Sequence, residues 1–137
     1  KQEEEARSER EKEDAPLLAR MREALGDRVK DVRLSSRLTE SAACLVSDEG
    51  DLSPQLERIL KAMGQEAPAV RRILELNPDH PVMAALRRRH AADPAAPVVA
   101  EYAELLFGQA VLAEGGQLPD PAAFARRVAE LMARAAE

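Results

Sequence analysis

The sequence predicts an α+β domain: a small three-stranded sheet with flanking helices, followed by a C-terminal helical pair that forms a four-helix bundle with a second copy. Three observations predict it. Short β-rich runs at residues 31–38, 43–47 and 69–77 are too brief and too branched for helices. Between and after them, apolar residues recur with helical period. The last forty or so residues carry more apolar helix surface than one chain of this length covers by itself.

The first 14 residues, KQEEEARSEREKED, are almost all charged and offer nothing to bury. They read as a charged linker or frayed helix, with Glu3 and Arg7 at an i,i+4 spacing that supports a solvated helix. Residues 15–137 read as one domain, with the sheet part at about 15–94 and the paired helices at about 96–136. Leu17, Leu18, Met21 and Leu25 share one helical face, Pro16 fits the first turn of that helix, and Gly26 fits its stop.

Val32, Leu34, Ser36 and Leu38 alternate as in a half-buried strand. The run Ala43–Ser47 is a second strand, and Thr39-Glu40-Ser41 between them predicts a hairpin. Cys44 reads as a small core residue, because no basic neighbour would activate its thiol. Ser53 is placed as N-cap and Pro54 as first residue of a helix that Gly64 closes. Leu56, Ile59, Leu60 and Met63 make one face, with Leu52 a turn earlier. Periodicity alone directs that stripe into the core.

AVRRILELN is the third strand. Asn-Pro-Asp-His-Pro follows, and the adjacent Asp79 and His80 invite an acid–base or metal reading. Neither chemistry finds its other parts. His80 and His90 do not make a metal-ligand spacing, and no nucleophile elbow or His-Glu-x-x-His motif occurs. Asn77 before a proline is held extended, Asp79 or His80 serves as N-cap, and Pro81 begins a helix with Val82, Met83 and Leu86 inward. Arg87-Arg88-Arg89-His90 falls towards its C-terminal end, where cations complement exposed carbonyls. No catalytic, metal or cofactor-binding residues are assigned.

After a turn at Asp93–Pro97, Val98, Val99, Tyr102, Leu105, Leu106, Phe107, Val111 and Leu112 occupy most of a helix surface. Such a helix needs cover on two sides. Gly115-Gly116 ends it. The last helix starts at Asp120 and Pro121, with Phe124, Val128, Leu131 and Ala135 on one stripe and Met132 beside it. A helix of this length is marginal alone in water, so it must dock. Antiparallel packing on its predecessor and a symmetric partner chain together account for the surplus.

Composition narrows the function classes. A net charge of −5 argues against a nucleic-acid surface, and aromatics at 2 % argue against base-stacking platforms. The single cysteine excludes a disulfide framework within one chain, and no run is apolar and long enough to span a bilayer. No signal peptide is visible. The expectation is a cytoplasmic protein, touching neither nucleic acid nor membrane.

Three segments in order carry a resemblance: GDRVKDVRLSSRLTESAACLVSDEGDLSPQLERILKAMGQ, ILELNPDHPVM and ELLFGQAVLAEGGQLPDPAAFARRVAELM. Together they resemble the C-terminal dimerisation domain of the heat-shock protein 90 family, in its bacterial form, from Gly26 to the end. The resemblance implies a homodimerisation and client-contact domain of an ATP-dependent molecular chaperone active in protein folding and stress response. It implies a dimer interface at Leu105, Leu106, Val111, Leu112, Phe124, Val128, Leu131 and Met132. It also implies an exposed client-binding helix bearing Leu52, Leu56, Ile59, Leu60 and Met63, which reverses the inward direction that periodicity suggests. ATP and magnesium belong to other domains of the full-length family, so this chain is expected to be no enzyme. The chain lacks the acidic tail of eukaryotic members, so no tail-docked helical-repeat co-chaperone is expected. A plain oligomerisation module with no client role is the alternative.

Overall fold

The computed structural model describes residues 2–36, 40–47, 54–65 and 72–136, with side chains from residue 9 onward save those of 54 and 57. Among the described residues the fold is α+β, with five α-helices and a mixed three-stranded sheet. In chain order these are α1 (Gln2–Leu25), β1 (Val29–Leu34), β2 (Ala43–Val46), α2 (Pro54–Ala62), β3 (Arg72–Leu76), α3 (Pro81–Ala92), α4 (Pro97–Ala113) and α5 (Pro121–Ala136).

The strand order is β1-β3-β2, with β1 parallel and β2 antiparallel to β3. The expected β1–β2 hairpin is therefore corrected: β3 lies between them. The reason is burial. All five residues of β3, Arg-Ile-Leu-Glu-Leu, are buried, so it takes the centre, where both of its edges are paired. Leu74 and Leu76 sit opposite Val32 and Leu34 on one side and Leu45 and Ala43 on the other, making one apolar sheet face. A bulge between Val29 and Asp31 lets both Val29 and Val32 turn inward, which strict alternation would forbid. Of the predicted alternation, Ser36 is exposed and outside the strand, and Leu38 and Thr39 lie outside the described residues.

The core forms where α1, α3 and α4 meet that face. Leu17, Met21, Leu25, Leu34, Leu74, Leu76, Met83, Leu86 and Val99 are its best-buried members. Their aliphatic character follows from the near absence of aromatic residues. On the other sheet face the buried Glu75 is held by Arg33, its direct cross-strand neighbour, at 2.7 Å. A buried carboxylate needs such a partner, and the register supplies it.

Pro16 does not begin a helix; it lies in the middle of α1. An interior proline costs about 3 kcal/mol through its missing N–H and its clash with the preceding turn. Contacts on both sides oppose that cost. Leu17, Leu18 and Met21 are buried just after it, and Asp14 is buried just before it. Arg87 grips Asp14 from α3, Nε to Oδ1 at 3.1 Å and to Oδ2 at 3.0 Å, and its Nη2 also donates to the carbonyl of Pro78. Arg87 thus serves α1, not the carbonyls at the end of α3. Arg89 and His90 alone fill that terminal position.

Helix ends follow the predicted chemistry. Gly64 and Gly115 have positive φ, and each closes its helix with the paired backbone bonds of a Schellman motif: Gln65 N to Leu60 O and Gly64 N to Lys61 O, Gly116 N to Val111 O and Gly115 N to Leu112 O. Asp120 Oδ1 caps α5 by accepting from Ala123 N at 3.0 Å. Ser53, the expected cap of α2, lies outside the described residues.

Candidate functional site

The Asn77–Pro81 corner is built from backbone satisfaction. Asn77 N donates to Ala42 O, its Nδ2 donates to Ser41 O, and its Oδ1 accepts from Asp79 N at 3.0 Å. His80 Nδ1 accepts from Val82 N at 3.1 Å, which makes His80 the N-cap of α3. The exposed Asp79 pairs with Arg10 of α1 at 2.7 Å. The two residues that resembled chemistry point in different directions and join α1, β3 and α3. Among the described residues, no three His, Cys, Asp or Glu side chains are grouped to hold a metal ion.

The other candidate residues fall on two helical surfaces. The first is α2. Among the described residues it packs only sparsely on any other element. Its stripe faces away from the core: Leu56, Ile59 and Met63 are 42, 54 and 66 % exposed, and Leu60 is half-buried. The inward direction suggested by periodicity is corrected. Arg58 Nη1 ties it to the carbonyl of Glu114, at the end of α4, at 2.9 Å. Leu52 lies outside the described residues.

The second surface is the hairpin of α4 and α5. Their antiparallel pairing is read from Phe124 against Gly108, Arg127 towards Glu104 at 4.0 Å and Arg134 towards Glu101 at 3.8 Å. Gly108 is buried, and a methyl group there would stand 2.5 Å from Phe124 Cδ1. Only glycine lets the ring lie on α4 this closely. Arg28 fastens the hairpin to the sheet domain. It donates to both carboxylate oxygens of Glu104, to the carbonyls of Ala24 and Leu25, and lies 5.8 Å from the Phe107 ring centre. Its hydrogen bond to the Glu104 carboxylate raises the Arg28 pKa above its ordinary value, and burial opposes that rise.

The predicted interface residues divide into two groups. Leu105, Leu106 and Val111 are buried within the protomer, with Leu106 in the main core. Phe124, Val128 and Leu131 are half-buried, while Leu112 and Met132 are 50 and 65 % exposed. No residue of α5 is fully buried. The residues that α5 turns to α4 include Arg127 and Arg134, so its apolar stripe is only partly used by that contact. Sequence reasoning missed Arg28, Glu104 and Gly108 as the parts that hold the hairpin; only a glycine amid apolar helix residues hinted at a close approach.

An α+β unit with an outward amphipathic helix and a terminal helical hairpin fits the heat-shock protein 90 class of chaperones. A family model described as Hsp90 protein matches residues 1–137, and the chain belongs to that family. Within it, the chain is 56 % identical over 130 residues to the chaperone protein HtpG of Mycobacterium tuberculosis (strain ATCC 25618 / H37Rv). It is 52 % identical over 128 residues to the HtpG proteins of Mycobacterium avium (strain 104) and Rhodococcus jostii (strain RHA1). Each match covers 93 % of this chain but 20 % of the relative, so the chain spans about a fifth of their length. Among the described residues, no helix is long and apolar enough to cross a membrane.

Proposed function

We propose that this chain is the homodimerisation and client-contact region of an ATP-dependent chaperone of the bacterial cytoplasm. The observation that carries the dimer is α5: a 16-residue helix on which no residue is fully buried. A second copy related by a two-fold axis covers α4 and α5 of each chain in a four-helix bundle. Leu112, Val128, Leu131 and Met132 form the contact, and Leu105, Leu106, Val111 and Phe124 shape the platform behind it. Symmetry counts every contact twice, so few residues suffice.

The mechanism is mechanical. A constant joint holds two ATPase arms at high local concentration, so their remote ends meet repeatedly. ATP and magnesium are bound by parts of the chaperone other than this chain, which itself does not hydrolyse ATP. Non-native proteins bind α2 through Leu56, Ile59, Leu60 and Met63, with Leu52 extending the stripe. Flexible aliphatic and methionine side chains suit unrelated sequences because they repack around each. Its partners are a second copy and client proteins, with no nucleic acid or membrane.

The test is the mass of the chain in solution. Unmodified chain should scatter light as a dimer, and Val128→Asp with Met132→Asp should give a folded monomer. A monomeric unmodified chain, or a dimer untouched by both substitutions, would defeat the assignment. The second reading, an oligomerisation module without a client role, predicts the same masses. It is separated by binding of an unfolded model protein.

A further inference from the structure

We infer that Arg22 and Asp31 form an autoinhibitory contact on the sheet: they occupy outward main-chain groups of β1 and keep its outer edge from adding a strand of a second copy.

The sheet ends at β1. Among the described residues β3 is its only strand partner, so one side of β1 has no strand beside it. Ser35 N donates to Leu76 O at 2.8 Å, which turns the pairing groups of Asp31, Arg33 and Ser35 towards β3. Direction alternates along a strand, so Lys30, Val32 and Leu34 present theirs to the outer side. Such a row is a template for another chain. At six residues β1 is the longer edge strand, against four in β2, and very short edges resist such pairing.

The groove beside that edge would favour an added strand. It holds about 660 Å³ between α1 and β1, with Ala15, Leu18, Ala19, Val29 and Val32 in its lining. A strand laid there would gain apolar cover as well as the main-chain bonds that drive strand addition.

Two side chains stand in the way. From the last turn of α1, Arg22 Nε donates to Lys30 O at 3.2 Å. From β1 itself, Asp31 Oδ1 accepts from Val32 N at 2.8 Å. One outward acceptor and one outward donor, two residues apart, are thereby engaged. Arg22 Nε and Asp31 Oδ1 lie 3.8 Å apart, so each side chain steadies the other in the groove they both line. Their side chains are 60 and 59 % exposed, so the pair adds little to folding. What it contributes is its place. The bulge between Val29 and Asp31 twists the same strand and spoils the edge further. A protein that handles non-native chains meets exposed strand segments continually, though the guard itself stands without that reading.

The experiment compares two double variants of the whole chain that change charge alike. Arg22→Ala with Asp31→Ala removes both contacts. Arg22→Gln with Asp31→Asn keeps an amide donor and an amide oxygen in their places. Each removes one charge of either sign, so the net charge stays at −5. The alanine pair should stay folded by circular dichroism, and its light-scattering mass should climb above that of the unmodified chain as concentration rises. The amide pair should keep the unmodified mass. In the assembled alanine variant, hydrogen exchange should slow at Lys30, Val32 and Leu34. At low concentration, and corrected for intrinsic rates, Val32 should exchange about tenfold faster in Asp31→Ala than in Asp31→Asn, the order set by one lost hydrogen bond.

An alanine pair that keeps the unmodified mass over the same concentrations would overturn the inference. So would equal assembly of both pairs, which makes charge alone the cause, or slowed exchange confined to other elements. If the alanine pair melts so early that its assembly reflects unfolding, the Val32 comparison decides. Equal exchange in Asp31→Ala and Asp31→Asn then overturns the inference, and faster exchange with alanine supports it.

Discussion

Single residues decide how the parts meet. Gly108 is the clearest case, because its missing side chain is where Phe124 sits. Gly108→Ala gains roughly 1 kcal/mol in helix propensity. It loses roughly 1–3 kcal/mol to overpacking. The ring must move as a whole, so a net loss of about 1 kcal/mol is expected, read as a lower melting temperature. Pairing it with Phe124→Ala should remove the clash, and the double-mutant cycle measures the coupling. Asp14 is the second case. Asp14→Ala leaves the part-buried Arg87 without its carboxylate, and a loss of roughly 1–3 kcal/mol follows, since a buried donor loses its partner. Asp14→Asn should lose less. If neither variant melts earlier, the clamp is not what carries α1 through Pro16.

Elements differ in what holds them. α1, α3 and α4 are fixed by apolar cover, whereas α2 is held by polar contacts such as Arg58 to Glu114 O. Leu56→Asn with Ile59→Asn should therefore leave the melting temperature within about 1–2 °C, because exposed apolar side chains add little to folding. The same pair should weaken binding of an unfolded model protein. A melting loss of several degrees would return the stripe to the core. The strands teach the opposite lesson. Three strands were legible from short β-rich runs, but their order was not. The hairpin expectation weighed the short connection between β1 and β2 and missed the burial of every residue of β3. The burial of Glu75 has no local signal, because a carboxylate ordinarily marks solvent. Its register partner Arg33, 42 residues earlier, is what lets it be buried.

At the scale of the whole molecule, the dimer proposal couples stability to concentration. If α4 and α5 fold against a second copy, mass action raises the melting temperature as protein concentration rises. A melting temperature unchanged over a hundredfold dilution, at concentrations spanning the dimer dissociation constant, would argue against it. The network of Arg28, Glu104 and Arg127 then has a role at this scale: it fixes the direction in which the sheet domain presents the hairpin. Glu104→Gln should lower dimer affinity more than it lowers the stability of the sheet domain, seen as dissociation before unfolding.

The sequence by itself determined the α+β class, the positions of most helix ends and the apolar stripes, because caps, glycine stops and periodicity are local in the chain. It also showed, through motif order, the family to which the chain belongs. Only the tertiary structure decided which strand is central and that α1 runs through Pro16. It alone joined Asp79 to Arg10 of α1 and put Leu106 in the core. Each of these depends on contacts between residues far apart in sequence, and burial is a property of the assembled molecule. A helical stripe states that a face wants cover; only the packed neighbours decide whether the same chain provides it.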